Sequence, residues 1–435
     1  MNQKKDKTRI LIFPAGSEIG LEIFDSLRYE KDLEIFGGSS FKDFSSMIYP
    51  KSHLKKIPHV DTENFIFGLL SVCKKSKINV IYPAHDQVIK LLAESRKLLE
   101  KENIHIIAHP GNTSTVCRSK YETYKKLGKK SFLPKYFTFS ESNKPTFNGP
   151  YFLKPIAGQG SKGIYKANSF SDIVKLSEQV SLKEYIVCEL LPGAEFTVDC
   201  FTDFEGKLLF CEGRERAQTT NGISVATSIT KDPSFRKIAL EIQKKIPMNG
   251  AWFFQVKRDR LKKLRLLEVG ARIAGSSTYA RFCGTNLSMM NLFNLKNIKL
   301  KVLPIETRIT VKKRIKAYST FDYPFDNVYI DLDDTLIVNQ EINLKVIHFV
   351  YWCINNKKKL ILVTRHKFDL TMTLEKFKLN SLFDEIVHLT NGESKCLTIT
   401  SKKSIFIDDS FVERSAVSGK HKIPVYSTQC LPEVY

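Results

Sequence analysis

Short β-branched runs alternate with amphipathic stretches over the first hundred or so residues. Residues 10–13, 33–36, 80–83 and 105–108 read as strands, and residues 18–28, 64–75 and 88–100 carry apolar positions at helical spacing. This alternation predicts a parallel sheet with crossover helices. Pro14-Ala15-Gly16-Ser17 follows the first strand, at the edge where open α/β sheets place ligands, but it lacks the G-x-G-x-x-G spacing of a dinucleotide turn. From Gly149 the texture changes to β-rich runs with glycine-containing turns: 151–155, 185–191, 195–203, 208–211, 252–256 and 264–269. Residues 299–316 read as a closing strand and connector. A fresh strand-helix alternation begins at Asn327 and runs to the C-terminus, so the chain is read as a multidomain α/β and α+β protein.

Length and composition sharpen this only in part. A prior of roughly 150 residues per domain gives about three domains for 435 residues. The net charge of +22 favours an anionic ligand, yet the lysine pairs are scattered, and no zinc finger, recognition helix or aromatic-basic stripe supports nucleic acid as the partner. Nine cysteines, an odd number without a C-x-x-C pair, predict free thiols in a reducing compartment. No apolar run reads as a signal core or a membrane span, so a soluble cytoplasmic protein is expected. His105 and His109 would suit a metal only on a helix; their strand-like spacer assigns them to structure.

The chemistry begins at residues 152–164. Lys154 precedes a loop containing Gly158, Gln159, Gly160, Ser161 and Gly163, whose glycines let backbone amides close over an anion while lysine supplies charge for phosphate. Glu189 and Glu195 flank a turn, and Gln255, Glu268 and Arg272 put an amide, a carboxylate and a guanidinium on neighbouring strands. Together these residues resemble the ATP-grasp superfamily across residues 1–315, and Glu268-Val269-Gly270-Ala271-Arg272 is most similar to its carbamoyl-phosphate-synthetase-like branch. The resemblance implies a pre-ATP-grasp α/β domain over residues 1–118 and an ATP-grasp domain over 119–315. It further implies that Lys120 and Lys154 contact phosphates, that the loop from Gly158 to Gly163 closes over them, and that Glu189 to Leu191 form the adenine hinge. Glu195 would bind ribose, Gln255 and Glu268 would hold magnesium, and Arg272 would lie beside the transferred phosphoryl group. The implied cofactors are ATP and Mg2+, with Mn2+ as an alternative. The implied reaction activates a carboxylate as an acyl phosphate, which an amine or similar nucleophile captures. The family's usual Asn two positions after the metal-binding Glu is replaced here by Gly270. Arg214, Glu215, Arg216 and the 219–222 segment are candidate contacts for the acid, and Asp86 and the loop from Ala15 to Glu18 are candidates for the same cleft.

Toward the C-terminus, an apolar strand ends in Asp331-Leu332-Asp333-Asp334-Thr335, another in Thr364, and a last one in Asp408-Asp409, with Lys395 between. This order resembles the haloacid-dehalogenase (HAD) superfamily over residues 325–435. It implies a Rossmann-like fold with at most a minimal cap, because residues 336–360 leave room for one helix and a turn. Asp331 would be the nucleophile, Asp333 the general acid and base, Thr364 a phosphate ligand and Lys395 the group that orients the nucleophile. Asp331, Asp333 through its backbone carbonyl, and Asp408, with Asp409 beside it, would hold magnesium, since clustered carboxylates repel without a cation. The pairing suggests a bifunctional ligase and phosphomonoesterase acting on a small-molecule carboxylate and an amine or phosphorylated substrate, for surface-polysaccharide or small-metabolite biosynthesis. The alternative is a phosphatase whose nucleotide module does not turn over.

Overall fold

The computed structural model describes residues 7–139, 145–158, 162–220, 223–303, 310–312, 317–319, 321 and 323–434, with backbone only at 217–220 and 223–227. The chain forms two compact units, Met1–Arg314 and Ile315–Tyr435. The first opens with five parallel strands, β1 (Thr8–Phe13), β2 (Leu33–Ser39), β3 (Leu54–Lys56), β4 (Val80–Pro83) and β5 (His105–Ile106), in the order β3-β2-β1-β4-β5. Strand β1 is apolar on both faces because helices cover both. Ile10 and Ile12 pack with Ile23 and Leu27, and Leu11 and Phe13 pack with Phe65, Leu69 and Val88. The helical stretch expected at 88–100 is two helices, Asp86–Glu94 and Arg96–Lys101, parted at Ser95. Buried His109 is structural: Nδ1 accepts from the Asn249 amide and Nε2 bonds the Ala251 carbonyl, and burial lowers its pKa to about 4.

Two antiparallel sheets follow. Strands β6 (Tyr136–Thr138), β7 (Tyr151–Pro155), β8 (Tyr165–Ala167) and β9 (Tyr185–Glu189) pair in the order β6-β9-β7-β8. Strands β10 (Glu195–Thr202), β11 (Leu208–Thr220), β12 (Ile223–Thr230), β13 (Gly250–Arg258), β14 (Leu264–Gly270) and β15 (Thr310–Lys312) pair in the order β14-β13-β10-β11-β12-β15. Of the expected closing segment, Thr310–Lys312 is a strand; residues 304–309 and 313–316 lie outside the described residues. Period-two alternation gives the six-stranded sheet two unlike faces. Phe196, Val198, Phe254, Val256 and Val269 point into a core closed by Phe235, Ile238 and Ile242 of helix Pro233–Lys245. The other face carries Glu268, Gln255, Thr197 and Arg214 as successive cross-strand neighbours.

The second unit is a five-stranded parallel sheet built from β16 (Asn327–Ile330), β19 (Lys359–Thr364), β20 (Glu385–His388), β21 (Ser404–Ile407) and β22 (Val425–Tyr426), in the order β20-β19-β16-β21-β22. A two-residue-stranded hairpin, β17 (Ile337–Val338) and β18 (Glu341–Ile342), and helix Leu344–Asn355 fill the interval after β16, with no separate cap. All nine cysteines are free, as expected, and seven are buried. No helix among the described residues is long and apolar enough to cross a membrane.

Candidate functional site

In the first unit, polar side chains gather where the two antiparallel sheets and the first parallel sheet approach one another. Ser119 caps helix Lys120–Leu127 by accepting from the Glu122 amide and forms an isolated β-bridge with Ala157. That places Lys120 at the start of the glycine loop, where Nζ donates to the Gly158 carbonyl at 3.1 Å and lies 3.9 Å from Glu268. Lys154, on β7, is 5% exposed and donates to the Tyr124 hydroxyl at 3.1 Å and the Leu267 carbonyl at 2.8 Å. The Leu267 carbonyl is available because a β-bulge pairs Gln255 with Glu268 and Val256 with Leu266, leaving Leu267 out of the ladder. Burial pushes the Lys154 pKa down. Gln255 and Glu268 sit directly opposite each other, and each carries oxygen, the ligand atom a hard divalent cation takes.

A cavity of about 280 Å³ lies on one side of Lys154, lined by Phe152, Glu189, Leu190, Leu191, Glu195 and Leu267. This brings together the expected adenine hinge and ribose contact. Glu189 is already engaged, since Oε1 accepts from the Lys135 amide, and Glu195 is flanked by Arg216 at 2.9 Å and Lys257 at 3.5 Å. Gly163 takes φ +67°, and a Cβ there would lie 3.2 Å from the Tyr185 hydroxyl. Gln159, Gly160 and Ser161 lie outside the described residues. A second cavity, about 130 Å³, is lined by Lys120, Gly158, Glu268, Arg272, Asp86 and Arg118.

Two expectations change. Arg272 lines the second cavity, but its guanidinium is engaged at Nε and Nη2 by both Asp86 oxygens, at 2.6 and 3.0 Å, 186 residues away in sequence. The pairing outweighs burial and holds the Asp86 carboxyl below its ordinary range. Arg214 is fully buried against Asp199 and Ser276, so it is a structural pair rather than an open contact for an acid. Sequence reasoning missed Tyr124 and Phe253. A Cβ on Gly270 would come within 2.2 Å of the Phe253 ring, on which Arg272 also stacks. Phe253 therefore occupies the space that an Asn at position 270 would need.

In the second unit, β19, β16 and β21 are parallel neighbours, so their carboxyl ends share one edge. Asp331, Thr364 and Asp408 stand there together because each closes or follows one of these strands. Lys395, buried in a turn capped by Ser394, bridges Asp331 at 2.6 Å and Asp408 at 2.8 Å. Carboxylate oxygens of Asp331, Asp408 and Asp409 lie within 4.8 Å of one another and fit a hard cation. Burial, reinforced by the Asp408 charge and opposed by Lys395, raises Asp331 to about 7; burial likewise raises Asp408. Lys395 is held above its ordinary value because the two aspartates outweigh burial. The Asp333 side chain is half exposed and accepts from His366 Nδ1 at 3.0 Å, while Asp409 joins Asp331 and Asp408 in the carboxylate group. His366, held in turn by Thr373, was not anticipated. The only signal was its position two residues after the strand-end Thr364.

Comparisons with known proteins agree with the geometry of the first unit. Residues 181–317 match the family described as ATP-grasp in the biosynthetic pathway with Ter operon, and residues 28–107 match the PylC-like N-terminal domain. Among solved structures, biotin carboxylase from Campylobacter jejuni in its β-γ-ATP complex is 15% identical over 68% of this chain and 72% of its own, with a TM-score of 0.56. N5-carboxyaminoimidazole synthetase from Staphylococcus aureus, complexed with ADP, is 16% identical over 69% and 80%, with a TM-score of 0.55. An L-amino acid ligase from Bacillus licheniformis is 16% identical over 68% and 75%, with a TM-score of 0.53. No curated protein matches the chain. The first unit thus has the ATP-grasp fold, with residues 28–107 similar to the PylC-like N-terminal domain, and ATP-grasp enzymes bind ATP and Mg2+.

Proposed function

We propose that the chain is an ATP- and magnesium-dependent carboxylate ligase, over a pre-ATP-grasp domain (1–118) and an ATP-grasp domain (119–315), joined to a HAD-type phosphomonoesterase (325–435). The observation that carries the reading is the convergence of Lys120, Lys154 and Glu268 beside a glycine loop, with a hinge-lined pocket adjoining them. Bound ATP supplies the phosphoryl group, and magnesium the charge neutralisation that such a transfer needs. Lys154 and Lys120 would offset phosphate charge, Gln255 and Glu268 would hold the cation, and Glu195 would take the ribose side. Asp86 fixes Arg272 so that its guanidinium faces the cavity without swinging. An oxygen of the acid's carboxylate would attack the γ-phosphorus with loss of ADP, and an amine would then attack the acyl carbon, releasing inorganic phosphate and a proton.

In the second unit Asp331 attacks the phosphorus of a phosphomonoester, Asp333, steadied by His366, protonates the departing alcohol, and Asp333 then takes a proton from the water that releases phosphate from Asp331. Thr364 receives a phosphate oxygen, and Lys395 offsets charge on Asp331 and the phosphoryl group. The test incubates purified protein with ATP, magnesium and panels of acids and amines while ADP is followed. Acid-dependent ADP release supports ligation, and its absence across the panels counts against it. Phosphate release from small phosphomonoesters should fall at least about a thousandfold in Asp331→Asn. Phe253 in the space beside Gly270 favours one second reading, a nucleotide module that binds without turnover. Under it, ATP raises the unfolding temperature and no acceptor mixture yields ADP.

A further inference from the structure

Three cations line the smaller cavity of the first unit: Lys120, Arg272 and Arg118. Lys120 is held by the Gly158 carbonyl, with Glu268 nearby, and Arg272 by both oxygens of Asp86. Arg118 differs. It is exposed at the end of helix Thr113–Arg118 and makes no hydrogen bond or ion pair among the described residues. One helical turn earlier, Ser114 lines the same cavity, is 7% exposed, and its Oγ has no hydrogen-bond partner. Residues four apart share a helix face, so an open guanidinium and an unsatisfied buried hydroxyl address one space. A buried hydroxyl without a partner calls for a ligand or water that completes it.

We propose that Arg118 and Ser114 bind the carboxylate of the acid to be activated. The inference rests on the ligase reading and names its acceptor subsite. A guanidinium fork matches a planar carboxylate in two parallel hydrogen bonds, and the Ser114 hydroxyl adds a third donor. The location is suitable, since Lys120, Gly158 and Glu268 line the same cavity, and the carboxylate would meet the phosphoryl group there. The cavity, about 130 Å³, has room for a carboxylate beside these groups. The β11 arginines do not compete for this role, because Arg214 is buried on Asp199 and Arg216 lies against Glu195.

The experiment measures thermal unfolding of the full chain with magnesium and the non-hydrolysable analogue AMP-PNP. Acetate, succinate, L-glutamate or D-glucuronate is then titrated in, with inorganic phosphate as the alternative anion. At least one carboxylate should raise the midpoint of the wild-type protein. In Arg118→Ala the concentration required should rise tenfold or more, with a smaller increase in Ser114→Ala, and the AMP-PNP shift itself should be the same in all three proteins. A carboxylate effect that survives both substitutions, no effect from any carboxylate, or phosphate acting as well as the carboxylates would overturn the proposal. Absence of an AMP-PNP shift in the wild-type protein would refute the nucleotide reading instead, so the two failures are distinct.

Discussion

The two units each bury a lysine at the centre of their polar site, and the two lysines are in opposite electrostatic situations. Lys154 has a hydroxyl and a carbonyl as its partners and is pushed down by burial, which marks a site short of negative charge. Lys395 lies between two aspartates, is pushed up, and still leaves Asp331 and Asp408 raised, which marks a site short of positive charge. The first arrangement suits an arriving polyanion and the second an arriving cation.

That contrast is open to direct attack, and the two tryptophans help because Trp252 lies in the first unit and Trp352 in the second. Single-tryptophan variants therefore report the unfolding of each unit. The largest effect is expected from Lys395→Met, which leaves two buried carboxylates facing each other without a cation. In chelator at pH 8 it should cost the second unit about 3–5 kcal/mol, read from denaturant midpoints. Next comes the pH dependence of the magnesium effect. With its folded pKa raised to about 7, Asp331 contributes stability that is present in acid and lost as pH rises from the ordinary carboxylate range through about 7. Magnesium restores what is lost, so at a hundred times its dissociation constant it should add about 2.7 kcal/mol at pH 8 and little at pH 5.

Gly270→Asn should destabilise the first unit by about 1–3 kcal/mol through collision with Phe253, and Phe253→Leu in the same chain should relieve part of that. The smallest effect has the opposite sign. Lys154→Met removes a buried charge while Tyr124 keeps the Leu266 and Leu267 carbonyls as acceptors, so the ligand-free first unit should gain on the order of 1 kcal/mol. Destabilisation of similar size by Lys154→Met would break the comparison.

The same contrast explains what could be read before the structure. The second site was legible because a parallel sheet gathers strand ends, so Asp331, Thr364 and Asp408 each announce themselves by following an apolar run. Its miss, His366, depends on where a loop turns. In the first site, Gln255 and Glu268 were legible as strand neighbours, and Lys154 and Glu195 by the turns beside them. The Lys154 contact with Leu267 depends on a bulge, and the Asp86–Arg272 clamp joins segments 186 residues apart. No local pattern encodes either. Strand β12 escaped notice because Ile223–Thr230 mixes serine and threonine evenly with apolar residues and breaks strict alternation, and β3 because Leu54–Lys56 is a lysine-bearing edge.

The most direct test of the account is calorimetric titration of magnesium–AMP-PNP into wild type, Lys154→Met and Asp331→Asn. The account predicts one nucleotide per wild-type chain, binding weakened about 10–100-fold in Lys154→Met and unchanged in Asp331→Asn. Nucleotide binding indifferent to Lys154, or abolished with Asp331, would contradict it.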